Sequence, residues 1–230
     1  MIIEQPARFL RWLYPRAIWR MDPSVKAVYL TFDDGPIPEA TPFVLDTLAR
    51  YGVKATFFMV GDNVRKYPDI FQQVVEAGHA IGNHTFNHIG GLRWFSKDYL
   101  ANTQKAQEAI EKSYHSPLVP LPPSSLSHRE GAGVGVLFRP PHGWMRPLQY
   151  LVIRQQGYRI IMWDLVTRDY SRRLSADEVF ENVRRYARNG SIITFHDSLR
   201  SIDKLKKILV PSLEWLIAEG YEFRLFDFDP

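Results

Sequence analysis

Seven short runs rich in β-branched and aromatic residues, most of them separated by helix-sized segments, constrain this chain more than any single motif does. They are AVYLTF (27–32), ATFFMVG (55–61), HAIGN (79–83), VLFR (136–139), YRIIMWD (158–164), SIITFH (191–196) and YEFRLF (221–226). Connections of that length join parallel neighbours through crossover helices, and largely apolar runs suit strands covered on both faces. The expected class is α/β. With 230 residues, 45 % of them hydrophobic, the chain can bury one sizeable core, so a single domain is expected.

The helices have legible starts. Thr41 and Pro42 read as an N-cap and first-turn pair, opening a helix that Gly52 stops. Ser175 and Glu178 supply the two halves of a capping box, with Val179, Val183 and Tyr186 as the core face behind it. Leu100, Thr103, Ala106 and Ile110 give the segment 97–113 a buried stripe. Leu205, Ile208, Leu209, Leu213 and Leu216 do the same for the last helix, which Pro211 is expected to kink or divide. The stretch SPLVPLPPSSLSHREGAGVG, 116–135, concentrates proline, serine and glycine and reads as a surface insertion, with His115 and His128 belonging to it.

The main domain is expected over 27–228, with an N-terminal arm, 1–26, packing on it. Arginines at 8, 11, 16 and 20 interrupt the arm, so it predicts neither a cleaved signal nor a membrane span. Its Phe9, Leu10, Trp12, Leu13, Ile18 and Trp19 could touch a membrane surface; packing on the domain is the preferred reading. The arm points to a cytoplasmic protein or one peripheral to the inner membrane face. The absence of cysteine excludes thiolate metal sites, disulfides and cysteine nucleophiles. A formal charge of +4 is too small a bias to name nucleic acid as a partner, and no partner protein is predicted.

The chemistry collects where strands end. LTFDDGPIP (30–38) closes the first run on two adjacent carboxylates, Asp33 and Asp34, which repel unless a cation or proton donor stands between them. GNHTFNH places His84 and His88 four positions apart, so on one helical turn both imidazoles would reach a single ion. One carboxylate with two imidazoles suits zinc, and also cobalt or nickel, and leaves positions open for water and substrate. Asp34 is cast as the ligand, and Asp33 as the free neighbour that takes a proton from the attacking water.

FRPPHG (138–143) offers Arg139, whose guanidinium fork can hold Asp33 by paired hydrogen bonds, while Pro140 and Pro141 stiffen the turn. His196 ends the strand SIITFH and can protonate a leaving group if a buried carboxylate fixes its tautomer. Asp169 is the choice for that carboxylate; spacing leaves Asp164 and Asp197 open. His79, at the start of its strand, reads as structural.

In order and spacing, TFDDGP, NHTFNH, FRPPHG, MWDLVTRDY and SIITFHD resemble the motifs of the NodB-type polysaccharide deacetylases, carbohydrate esterase family 4. The resemblance covers about 27–228 and implies an irregular (β/α)7 barrel, the NodB homology domain. It further implies metal-dependent removal of acetyl groups from glycans such as chitin, peptidoglycan or xylan. It assigns Asp33 as base, Asp34, His84 and His88 as metal ligands, and Arg139 as the arginine on the base. His196 becomes the acid and Asp169 its orienting carboxylate.

Two positions depart from the pattern: Val166 and Tyr170 stand in VTRDY where DxxDW is usual, and His142 stands where tyrosine is common. Pro141, His142 and Tyr170 are then the expected substrate or oxyanion positions, a backbone N–H at 142 serving the oxyanion. The expected substrate is an N-acetylated glycan. The alternatives are another amide or ester, including a small cyclic amide, and a non-catalytic glycan-binding protein.

Overall fold

The structure, a computed structural model, describes residues 4–114 and 136–228; the insertion expected at 116–135, with His115 and His128, lies outside them. Among the described residues there are eight strands: β1 (Ala27–Asp33), β2 (Thr56–Met59), β3 (Ala80–Asn83), β4 (Leu137–Phe138), β5 (Arg159–Ile160), β6 (Leu165–Val166), β7 (Ser191–His196) and β8 (Glu222–Phe223). They form one parallel sheet in the order β5-β4-β3-β2-β1-β7-β6, with β8 beside β1. Strands β2 and β8 share one side of β1: β8 pairs Ala27 and Val28, and β2 pairs Thr31 to Asp33. The sheet curls into a half-barrel flanked by helices, an irregular (β/α)7 fold.

The helices are α1 (Arg8–Leu13), α2 (Thr41–Arg50), α3 (Gly61–Lys66), α4 (Pro68–Glu76), α5 (Ser96–Tyr114), α6 (Pro147–Gln155), α7 (Ala176–Tyr186) and α8 (Ile202–Ala218). Every residue of β1 is buried, and its two-residue period sorts what each side chain meets. Val28, Leu30 and Phe32 enter the main core with Val44 and Leu48 of α2, Phe71 and Val74 of α4, Val183 of α7 and Leu209 of α8. Phe32 stacks between Phe57 and Phe195, rings 5.1 and 5.7 Å away. On the other face, Ala27 and Tyr29 join a small interior cluster with Phe58, Leu137 and Ile192. Thr31 and Asp33 follow on that same inner face. Alternation along a single strand thus aims Asp33 into the barrel.

No ladder joins β5 to β6, and the N-terminal arm runs across this seam. The Ile18 N–H donates to Ile160 O and the Met162 N–H to Ile18 O, both at 2.8 Å, while Val166 N–H donates to Glu4 O at 2.8 Å. Strand edges that would otherwise present unpaired backbone are covered. Leu10, Tyr14 and Trp19 of the arm are buried with Tyr150, Ile153 and Met162.

Three local expectations change. The run 158–164 yields only the short β5, and a separate strand, β6, follows at Leu165–Val166; two residues carry no period that a sequence can display. Thr41 does not cap α2: Ala40 stands at the N-cap, and the Thr41 hydroxyl donates to Asp197 Oδ2 at 2.6 Å. Pro211 does not divide α8, which runs on through it, because the packing of Leu205, Ile208, Leu209 and Leu213 outweighs one lost backbone bond. The Ser175–Glu178 capping box forms as expected. Among the described residues, no helix is long and apolar enough to cross a membrane.

Candidate active site

A cleft of about 880 Å³ opens at the C-terminal ends of the strands, lined among others by Asp33, Asp34, His84, His88, His142, Trp163, Tyr170 and His196. Four strand ends deliver the principal groups: β1 the two aspartates, β3 His84, β4 Arg139, and β7 His196. Asp33 and His196 are register partners on adjacent parallel strands.

Asp34 leaves the strand with a positive φ of 88°, a conformation sparsely open to a residue with a Cβ. Its N–H donates to Phe58 O at 3.2 Å, and its carbonyl accepts from Asn63 Nδ2 at 2.8 Å. Asn63 was not anticipated. Its signal is a polar residue in the first turn after a strand end of such a barrel. His84 and His88 are not on a helical turn as the spacing implied. Their loop is irregular, with positive φ at Thr85 and His88, because Asn83 and Asn102 satisfy its N–H groups from their side chains. The two imidazoles still converge, with ring centroids 5.1 Å apart.

The donor set fits a cation. His84 Nδ1 lies 2.7 Å from Arg139 O, a carbonyl that can only accept, so Nδ1 carries the proton and Nε2 presents a lone pair. Burial, the largest influence, keeps the pKa of His84 well below the usual histidine value, so the ring is neutral. That lone pair faces Asp34 Oδ1 at 3.9 Å, and His88 Nε2 stands 3.2 Å from the same oxygen. Asp34 Oδ1 is buried and has no hydrogen-bond partner. An acceptor aimed at an acceptor is costly unless a positive charge stands between them. Asp34, His84 and His88 are the one group among the described residues whose ligand atoms lie close enough together to share a metal ion.

Arg139 is fully buried and spends its donors in several directions. Nη1 donates to Asp33 Oδ1 at 2.6 Å and to Thr31 Oγ1 at 2.7 Å, while Nε and Nη2 donate to the Ile161 and Met162 carbonyls. The expected paired fork on Asp33 is therefore a single contact, since two backbone carbonyls at the β5 seam take the remaining donors. Asp33 Oδ2 is left facing His84 Nε2 at 4.0 Å. Burial raises the pKa of Asp33, more than the nearby Arg139 charge lowers it.

His196 sits on Asp169 twice, its N–H donating to Oδ2 at 2.7 Å and its Nδ1 lying 2.8 Å from Oδ1. Burial alone would lower the pKa of this imidazole, but the charge of Asp169, its hydrogen bond, and the charges of Asp34 and Asp33 bring it up to about 9. The two other carboxylates left open by spacing lie elsewhere: Asp164 is bound by Arg188 and Ser191, and Asp197 by Gly35 and Thr41.

Tyr170 meets His196 edge-on, rings 4.8 Å apart, and His142 meets His88 at 4.9 Å. Of the turn after β4, Pro140, His142 and Gly143 line the cleft; Pro141 is buried and is not among them. Val166 of β6, at the departing position of VTRDY, also reaches the lining, as do Pro6 and Leu10 of the arm, which no motif displayed.

The sequence model of a family described as polysaccharide deacetylase matches residues 20–161. A peptidoglycan-N-acetylglucosamine deacetylase of Bacillus cereus is 30 % identical over 207 residues, 89 % of this chain and 88 % of that protein. A chitooligosaccharide deacetylase of Azorhizobium caulinodans is 34 % identical over 179 residues, 77 % of each chain. The crystal structure of a peptidoglycan N-acetylglucosamine deacetylase superposes with a TM-score of 0.75 at 29 % identity, over 93 % of this chain and 92 % of that one. A carbohydrate esterase family 4 pseudoenzyme from Bacillus anthracis also gives 0.75, at 25 % identity, over 91 % of this chain and 66 % of its own.

Proposed function

The chain belongs to the polysaccharide deacetylase family, and from that premise we propose that it is a metal-dependent hydrolase removing acetyl groups from N-acetylated sugars of a polysaccharide or oligosaccharide. The observation that carries the reading is the orphaned Asp34 Oδ1 facing two histidine nitrogens, with Asp33 and His196 as register partners beside it. Asp34, His84 and His88 would hold the cation; their mixed oxygen and nitrogen donors favour zinc, with cobalt or nickel as alternatives. A bound divalent ion supplies Lewis acidity toward the acetyl carbonyl and lowers the pKa of a water.

The chain's own groups do the rest. Asp33, gripped at Oδ1 by Arg139, takes a proton from the attacking water at Oδ2. The His142 backbone N–H helps to hold the oxyanion that develops on the carbonyl. His196, its Nδ1 proton committed to Asp169, delivers a proton from Nε2 to the departing amine. Tyr170, edge-on to His196, offers a surface for the sugar ring. The same residues would serve another amide or ester, because none of them reads a sugar directly.

The fold is shared with a protein described as a pseudoenzyme, so activity has to be argued from residues. Asp33, held by Arg139 at Oδ1 alone, and His196, paired with Asp169, support the catalytic reading, since a binding module would need neither. The test is acetate release from chitooligosaccharides and from peptidoglycan fragments, with zinc, cobalt or nickel added. Release from either class is expected; none from any acetylated glycan overturns the reading. A preference of more than ~10²-fold in kcat/KM for a small non-sugar amide would move the assignment to the second substrate class. Cytoplasmic or inner-face placement is the companion proposal, tested by fractionating cells that express the unmodified chain.

A further inference from the structure

Asp197 follows the proposed acid His196 directly, yet its carboxylate is absent from the cleft lining and fully buried. Both oxygens are engaged. Oδ1 accepts from the Gly35 N–H at 3.1 Å, and Oδ2 accepts from the Thr41 hydroxyl at 2.6 Å. That hydroxyl in turn accepts from the Ile37 N–H at 2.8 Å, and the Asp197 N–H donates to Asp33 O at 3.1 Å. The turn 33–37, which carries the proposed base and one proposed metal ligand, is therefore tied at three backbone positions: Gly35 N–H to the Asp197 carboxylate, Ile37 N–H to the Thr41 hydroxyl, and Asp33 O to the Asp197 N–H just after β7.

The approach is too close for any side chain at 35: a Cβ there would lie 2.1 Å from Asp197 Oδ2. Gly35 thus answers to the carboxylate rather than to its own backbone, since it is not among the positive-φ glycines. Asp34, one residue before it, is the strained position. A residue with positive φ persists where its surroundings over-determine it.

We propose that Asp197 and Thr41 are a positioning pair: they lock the Asp33–Ile37 turn so that Asp34 Oδ1 is presented to His84 and His88 without the pair touching metal or substrate. The proposal rests on the metal-site reading above but not on the sugar substrate. It also explains why Thr41, well placed to cap α2, leaves that task undone. Partners that orient a metal ligand govern metal affinity even though they never contact the ion.

The experiment is zinc affinity by competition with a chromophoric chelator, on metal-stripped full-length protein checked for folding by circular dichroism. Thr41→Val, nearly isosteric, and Asp197→Asn should each weaken zinc binding by ~10- to 100-fold. Thr41→Ser, which keeps the hydroxyl, should restore it. Asp164→Asn, at the opposite end of the sheet, controls for general destabilisation and should leave zinc affinity unchanged. Unaltered affinity in folded Thr41→Val and Asp197→Asn overturns the positioning role alone. Failure of the unsubstituted protein to bind zinc, cobalt or nickel overturns the role together with the metal site.

Discussion

Two buried aspartates, one at each end of the sheet, are handled in opposite ways. At the N-terminal ends, Asp164 is fully buried and its carboxylate is saturated. Oδ1 takes Arg188 and Arg11, and Oδ2 takes Arg188 Nε and Ser191 Oγ, at 2.5 to 3.1 Å. Burial would raise its pKa, but the hydrogen bonds from Arg188 and Ser191 and the charge of Arg188 outweigh that and hold it low. At the C-terminal ends, Asp33 is equally buried and also faces an arginine, yet one donor reaches one oxygen and its pKa is raised. An acid that only holds the fold together has every lone pair occupied. Asp33, the acid proposed to accept a proton, keeps an oxygen free of hydrogen-bond donors.

The comparison breaks first at Asp33. Asp33→Asn keeps an oxygen for Arg139 and removes the proposed base, so acetate release should fall by roughly 10³-fold with zinc binding retained. Full turnover in this variant would put the base elsewhere. Next in size is the pair behind the acid. In metal-free protein the His196 ring should titrate at about 9 by NMR, protonated at neutral pH and losing its proton only as pH rises through that value. Asp169→Asn removes the largest of the influences that raise it and leaves burial opposed only by the charges of Asp34 and Asp33, so the midpoint should fall toward the ordinary histidine range of about 6.5. An unmoved midpoint would assign the shift to another group.

At the opposite end the same kind of substitution should cost stability and spare chemistry. Asp164→Asn sets an amide N–H against donors that had a carboxylate. Arg188 and Arg11 are 42 % and 39 % exposed and can recover water, which limits the loss. A destabilisation of about 1 to 2 kcal/mol is expected, a fall in Tm of roughly 3 to 6 °C, with kcat/KM within a few-fold of the unsubstituted enzyme. A large loss of activity at unchanged Tm would contradict the division between the two ends.

Much of the site was legible because its groups sit at strand ends, and strand ends are marked. A run such as AVYLTF that stops on Asp33 and Asp34, or SIITFH that stops on His196, reports its own geometry. What stayed hidden depends on backbone that has no period. The irregular loop holding His84 and His88 is set by Asn83 and Asn102, two amides that look like ordinary loop residues. Asp169 is the choice on sequence, yet spacing leaves Asp164 and Asp197 open, and only the two hydrogen bonds between His196 and Asp169 separate them. Thr41 carried a strong local cap signal, and a tertiary acceptor overrode it. The N-terminal arm's course along the open seam follows from β5 and β6 failing to pair, and no pattern within either strand announces that.

His79 provides the smallest test and the most specific one for the structural end. It precedes β3, is buried, and its Nδ1 accepts from the Ala55 N–H at 3.2 Å, so the neutral ring with its proton on Nε2 belongs to the fold. Burial, helped by the Lys54 charge, lowers its pKa to about 4. The unfolded chain, with an ordinary histidine near 6.5, binds the proton first as pH falls, so stability is fully present above that value and drains away between it and about 4. Between pH 8 and about pH 5.5 this one group should remove roughly 1 kcal/mol of unfolding free energy, read from urea titrations at the two pH values. His79→Gln keeps an oxygen for the Ala55 N–H and cannot titrate, so its two urea curves should differ by that much less than those of the unsubstituted protein. Equal pH dependence in both would mean that His79 is free to charge in the folded state, and that the N-terminal end of the sheet is not sealed as tightly as the saturated carboxylate of Asp164 implies.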